Sequence, residues 1–303
     1  MRTDNQEPGN IRDRGRGGGA VGAGLGAGAL FAIIRRIGVR GTLIAVVALA
    51  GIYFFNPFGI RETVFGALFG GVPGQQQQQQ GEGSTCEAHP EACRFSAAIL
   101  GSTNDAWNEQ FRLTRLPNYG RTADAYEEPT LNVFTGVVTT DACGRAPAEV
   151  GPFYCPNDRQ VYMDPSFFDV MRDRLHSPGD LAQAYVIAHE VGHHVQNLIG
   201  ATDKRLPGET DNQNSVRVEL QADCFAGVWA HLERADREIN DTDLRQAVNA
   251  AQQIGDDTLT QGRASESEYT HGSGDQRMRW FRQGFNSGDA RRCDTFAVPA
   301  GQL

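Results

Sequence analysis

Two stretches of this chain are apolar enough to be buried helices, and each carries a pair of titratable side chains four residues apart. The first, VIAHEVGHHVQ at 186–196, holds His189 and His193; the second, VELQADCFAGVW at 218–229, holds Glu219 and Asp223. Side chains at i and i+4 share one helix face, with Cβ atoms about 5–6 Å apart. An acidic pair on a helix is usually solvated. Here Leu220, Ala222, Phe225, Ala226, Val228 and Trp229 make the helix mostly apolar, and burying two carboxylates in it is costly without a cation. The fold must therefore turn the imidazole pair and one carboxylate toward a common point.

That arrangement predicts a metal site. Zinc takes neutral imidazole nitrogens at about 2.0–2.1 Å, and a catalytic zinc normally has three protein ligands and one water. His189, His193 and Glu219 are the candidate ligands, and Asp223 can accept the free N–H of a ligating histidine and so fix its tautomer. Glu190 lies off the ligand face but next to the open position, where it can take a proton from water; this is the HExxH pattern. The metzincin variant needs a glycine and a third histidine at positions held by Gln196 and Ile199, so it is excluded. His194 is not expected to be a ligand and reads as either supporting the ligands or facing solvent, and His89, His176 and His231 read as surface residues.

The remainder of the chain predicts its organisation. Gly41 to Ile60 carries no charge over twenty residues and follows Arg35, Arg36 and Arg40, which predicts a transmembrane helix with a cytoplasmic N-terminus. Residues 1–40 carry about +4, with seven Arg against Asp4, Glu7 and Asp13, and read as a disordered basic tail; the rest carries about −13 of the −9 total. An acidic body excludes nucleic acid as a partner. The Gly17, Gly19, Gly22 run fits GxGxxG formally but has no strand before it, so no nucleotide site is expected. Residues 61–84, with six consecutive glutamines, read as a juxtamembrane linker. All six cysteines lie after this region, as disulfides on an exported domain would. The short spans pair Cys86 with Cys93 and Cys143 with Cys155, leaving Cys224 with Cys293; the other reading is buried free thiols. The folded domain is expected over 85–296, with 297–303 a tail. It opens with a helix around Phe95 to Phe111, continues with strands at TLNVFTGVV and RQVYMD, and turns helical from Ser177, which is placed to cap a helix ending at Gly200. Further helices are expected near 215–235, at TDLRQAVNAAQQIGDD and at SGDQRMRWFRQGF.

HEVGHH followed by ELQADC, with GPFYCPNDRQVYMD at 151–164 and THGSGDQRMRWFRQGF at 270–285, resembles the bacterial membrane-anchored "putative neutral zinc metallopeptidase" family, of the gluzincin-type zincins. The likeness covers roughly Thr85 to Cys293. It implies a zincin-like α+β domain, mostly helical with a small sheet, in which His189, His193 and Glu219 hold Zn2+, Glu190 is the base and Asp223 orients a ligand. It also implies an edge strand that binds an extended peptide, placed at NVFTGVV or RQVYMD, and a later histidine that steadies the oxyanion, for which His271 is the candidate and Arg277 the substitute. The expected protein is thus a zinc endopeptidase acting on peptides or proteins, anchored once in the cytoplasmic membrane with its domain in the periplasm or cell-wall space. A non-enzymatic zinc scaffold, or a hydrolase of another amide such as a cell-wall cross-link, are the alternatives.

Overall fold

The computed structural model describes residues 1–3, 8–16, 83–120, 125–140 and 142–303. The chain divides into two compact units, Met1–Gly17 with Gln80–Leu303, and Gly18–Gln79, which lies outside the described residues. In chain order the first unit contains β1 (Ile11–Arg16), α1 (Thr85–Ala88), α2 (Pro90–Arg112), β2 (Thr130–Thr135), β3 (Val137–Thr140), β4 (Gly144–Pro147), β5 (Phe153–Cys155) and β6 (Gln160–Met163). Then come α3 (Phe167–Asp173), α4 (Asp180–Ile199), α5 (Asp211–Leu232), α6 (Asp241–Gln253), α7 (Asp256–Leu259) and α8 (Gly274–Ser287). The architecture is mixed α+β and mostly helical, as expected.

One sheet has the order β1-β2-β6-β5, with β1, β2 and β6 parallel and β5 antiparallel to β6. Strand side chains alternate between faces. Leu131, Val133, Val161 and Met163 enter the main helical core, while Phe134 and Tyr162 form a second cluster with Val138, Ala146 and Cys155 under the β3–β4 hairpin. The run TLNVFTGVV, expected as one strand, is two: Gly136 adopts φ +82°, which only glycine takes cheaply, and the chain turns there into a separate sheet.

The helices follow their caps more closely than their hydrophobic spacing. α5 begins at Asp211 because Thr210 and Gln213 form a capping box, four residues before the apolar pattern becomes evident. α4 is capped by Gly179 rather than by Ser177, whose hydroxyl instead donates to the Leu175 carbonyl; its end at Gly200 (φ +80°) is as expected. The disulfides Cys86–Cys93, Cys143–Cys155 and Cys224–Cys293 are the expected set.

Both termini differ from expectation. Residues 11–16, read as disordered tail, form an edge strand on β2; Gly9 N–H donates to the Ala97 carbonyl at 2.8 Å, and Arg2 N–H to that of Arg237 at 2.9 Å. Asp13 accepts from the N–H groups of Thr85 and Cys86 at the start of α1. Residues on the two sides of the 41–60 stretch are therefore hydrogen-bonded to each other, which a single membrane crossing between them forbids. Among the described residues no helix is long and apolar enough to cross a membrane, and 41–60 itself lies outside them. The expected placement, one span with a cytoplasmic tail and an extracytoplasmic domain, is overturned. At the other end, Leu303 is buried in the core, so the domain does not stop at 296.

Candidate metal centre

α4 and α5 cross where Gly192 meets Ala222: a Cβ at 192 would lie 3.1 Å from the Ala222 carbonyl oxygen. This close approach brings the two polar pairs together. The Glu219 carboxylate straddles both imidazoles, with Oε2 3.2 Å from His189 Nε2 and Oε1 3.5 Å from His193 Nε2. One ligand atom from each of the three lies within 4.8 Å of the others. Tetrahedral bonds of about 2.0–2.1 Å would separate donor atoms by roughly 3.3 Å, so a two-nitrogen, one-oxygen set at these spacings fits zinc.

The far nitrogens of both rings are committed. His189 Nδ1 lies 2.8 Å from Asp223 Oδ1 and His193 Nδ1 lies 2.8 Å from Gln196 Oε1. A carboxylate and an amide oxygen only accept, so each Nδ1 carries a proton and each Nε2 is the atom available at the centre. Asp223, fully buried, also accepts from Tyr185 Oη at 2.5 Å and from Arg277 Nε and Nη2 at 2.9 and 3.0 Å. It is held ionised below the usual carboxylate range: burial opposes this, but the Arg277 guanidinium and His189 prevail.

The other titrations follow from the same enclosure. Burial pushes His189 down, yet Asp223 and Glu219 outweigh it and raise it to about 10, so without metal a proton sits where a cation would. For His193 burial wins and lowers it to about 4. Glu219 stays well below the carboxylate range despite burial, because His193, His189 and His271 surround it. Glu190 is raised to about 7 by burial, and the Tyr154 backbone N–H donates to it.

Tyr154 belongs to β5, the edge of the sheet nearest the centre. The strands expected to form that edge do not: β2 lies between β1 and β6, and β6 between β2 and β5. His194, expected to support the ligands or face solvent, instead braces β5. It is fully buried, with Nε2 2.5 Å from the Glu127 carbonyl and Nδ1 3.1 Å from Tyr154 Oη. Burial lowers it to about 4, which suits a neutral ring donating through one nitrogen and accepting through the other.

His271 is half-exposed and stands outside the three-residue cluster. Its Nδ1 lies 3.2 Å from Asp256 Oδ1, while Asp256 Oδ2 accepts the backbone N–H groups of Thr270, His271 and Gly272. Burial opposes protonation of His271, but the Asp256 bond and the Glu219 charge raise its pKa. Arg277, its sequence substitute, is buried and occupied with Asp223. Sequence reading missed Tyr185, Gln196 and Asp256. Tyr185 precedes His189 by four residues and Gln196 follows His193 by three, so helical spacing could have found both; Asp256 arrives through tertiary contact alone.

Comparison with known proteins agrees with this geometry. Residues 1–296 match the family described as "Putative neutral zinc metallopeptidase", so the likeness extends well before Thr85. "Uncharacterized protein YpfJ" of Escherichia coli K12 is 44% identical over 263 residues, covering 84% of this chain and 85% of that protein. "Uncharacterized protein Rv2575" of Mycobacterium tuberculosis H37Rv is 39% identical over 230 residues, 71% of this chain and 75% of that one. No solved structure matches. Two helices that converge on a His, His, Glu cluster, and a family match spanning nearly the whole sequence, place this chain in the "Putative neutral zinc metallopeptidase" family.

Proposed function

We propose that the protein is a zinc-dependent endopeptidase with a zincin-like catalytic domain. The observation that carries this reading is the convergence of His189 Nε2, His193 Nε2 and a Glu219 oxygen on one point, with Glu190 beside it and its carboxyl raised to about 7. Three protein ligands leave a tetrahedral zinc one open position, as catalytic sites require. Bound zinc supplies Lewis acidity to the carbonyl and acidifies water at that position.

The chain's own residues do the rest. Asp223 and Gln196 fix the tautomers of the two histidines. Glu190, poised near neutrality, takes a proton from the attacking water and passes it to the leaving amine. β5, whose Tyr154 N–H holds Glu190, guides an extended peptide along its edge, which aligns the scissile bond with that carboxylate. His271, held by Asp256, donates to the developing oxyanion. Three disulfides fit an oxidising compartment.

The test is a digest of a broad peptide library by the zinc-loaded full chain and by Glu190→Gln. The variant is expected to keep one equivalent of zinc and lose activity by about 10²–10⁴-fold, the usual worth of a general base. If the zinc-loaded wild type cleaves no peptide and Glu190→Gln behaves identically, the peptidase reading fails.

A further inference from the structure

The second histidine is connected to the C-terminal segment by an unbroken series of buried hydrogen bonds, and the series has a direction. Gln221 Nε2 donates to the Cys293 carbonyl at 2.8 Å and to Tyr119 Oη at 2.6 Å. Tyr119 Oη in turn donates to Asp294 Oδ1 at 2.7 Å. Gln221 Oε1 accepts from Gln196 Nε2 at 3.1 Å, and Gln196 Oε1 faces His193 Nδ1 at 2.8 Å. Gln196 and Gln221 are both fully buried.

Each amide can be placed only one way. The Cys293 carbonyl accepts and cannot donate, so Gln221 must turn its NH2 toward it and its oxygen toward Gln196. Gln196 must then present its NH2 to that oxygen, an orientation the Val218 carbonyl reinforces at 2.6 Å. Its own oxygen is left for His193 Nδ1, which must carry the proton, and the Nε2 lone pair stays bare. A flipped amide anywhere in the series would set two acceptors or two donors face to face in a buried site, which costs the desolvation of both groups.

We propose that Gln196 and Gln221 are positioning residues that dictate the tautomer of His193. The C-terminal segment, pinned to α5 by Cys224–Cys293, is thereby a working part of the metal site. The proposal rests on the reading of His189, His193 and Glu219 as zinc ligands. It differs in kind from the support given to His189, whose Nδ1 partner is a charged carboxylate with its own guanidinium. On the His193 side the Nδ1 partner is a neutral amide, and the one carboxylate of the series, Asp294, stands at its far end behind Tyr119. What reaches His193 is order, set by a backbone carbonyl far along the chain.

The experiment measures Zn2+ affinity of the full chain by chelator competition and coordination geometry by the visible absorption of the Co2+ form, with thermal melts of the metal-free proteins alongside. Gln196→Leu is expected to weaken Zn2+ binding by about 10–100-fold, the range for removal of a ligand's hydrogen-bond partner. Gln221→Leu and the similarly sized Gln221→Met, neither of which can donate to the Cys293 carbonyl, should both weaken it and alter the Co2+ spectrum. Arg217→Met is the control: the Arg217 side chain holds the Thr295 and Val298 carbonyls of the same segment but hydrogen-bonds no member of the series, so its removal should lower the melting temperature and leave affinity unchanged. If the wild type binds Zn2+ and His193→Ala abolishes binding, yet the glutamine variants lose no more affinity than Arg217→Met, the proposal is overturned while the ligand assignment stands. If the wild type binds no Zn2+, or His193→Ala binds as tightly, the ligand assignment itself is wrong and the proposal goes with it.

Discussion

At the scale of single residues, the charged side chains buried in the described domain are paired with partners that settle their charge. Glu209 and Arg217 show this away from the metal centre. Arg217 is 1% exposed and donates through Nε and Nη2 to the two Glu209 oxygens at 2.7 and 2.5 Å. These bonds lower the Glu209 pKa from 4.5. A carboxyl depressed by folding stabilises the native state above its unfolded pKa, and the contribution is lost as pH falls through the folded value. Glu209→Gln should therefore melt below the wild type at pH 7, and the gap should close as melts are repeated from pH 4.5 downward; an unchanged gap at pH 3 would contradict the pairing. The candidate ligand residues are legible in the sequence because i, i+4 spacing is a local rule. Asp256 is not, because it lies fourteen positions before the Thr270 N–H it binds, beyond the reach of any local spacing rule.

At the scale of elements, the site depends on helices that come closer than side chains normally allow. A Cβ on Gly227 of α5 would lie 2.1 Å from the Phe281 carbonyl oxygen, and one on Gly284 of α8 would lie 1.9 Å from that of Cys224. The two glycines let α8 dock on α5 and deliver Arg277 to Asp223. Gly284→Ala is expected to cost about 2 kcal/mol or more, since the strain of overpacking exceeds the gain of up to about 1 kcal/mol in helix propensity. That loss should lower the melting temperature by about 4–8 °C, a shift that calorimetry resolves easily. The strand order shows where element-level reading stops. RQVYMD has the composition of a strand, but composition does not say whether a strand is central or an edge. That β6 is covered on both sides follows from β2 and β5, and the sheet edge nearest the histidine cluster passes to a three-residue strand too short to stand out in the sequence.

At the scale of the whole molecule, the N-terminal residues are part of the domain they were expected to leave. β1 supplies the edge partner of β2, and the Arg16 N–H reaches the Gly83 carbonyl, so the chain departs and returns at neighbouring points. Hydrogen exchange on the full chain should show the amides of 11–16 that face β2 protected like those of β2 itself, and deletion of residues 1–16 should lower the melting temperature by several degrees. Rapid exchange throughout 11–16 would remove β1 from the sheet.

The sequence by itself determined which two helices carry the histidines, the carboxylates and Glu190, and that the domain is mixed α+β and mostly helical. Those features are written in spacings of a few residues, where helix periodicity and capping act without reference to the rest of the chain. Only the tertiary structure decided which strand borders the centre, that His194 braces it, that Asp256 holds His271, and that residues 11–16 close the sheet. Each of these joins segments distant along the chain, and such contacts are set by the packing of the whole core rather than by any local preference.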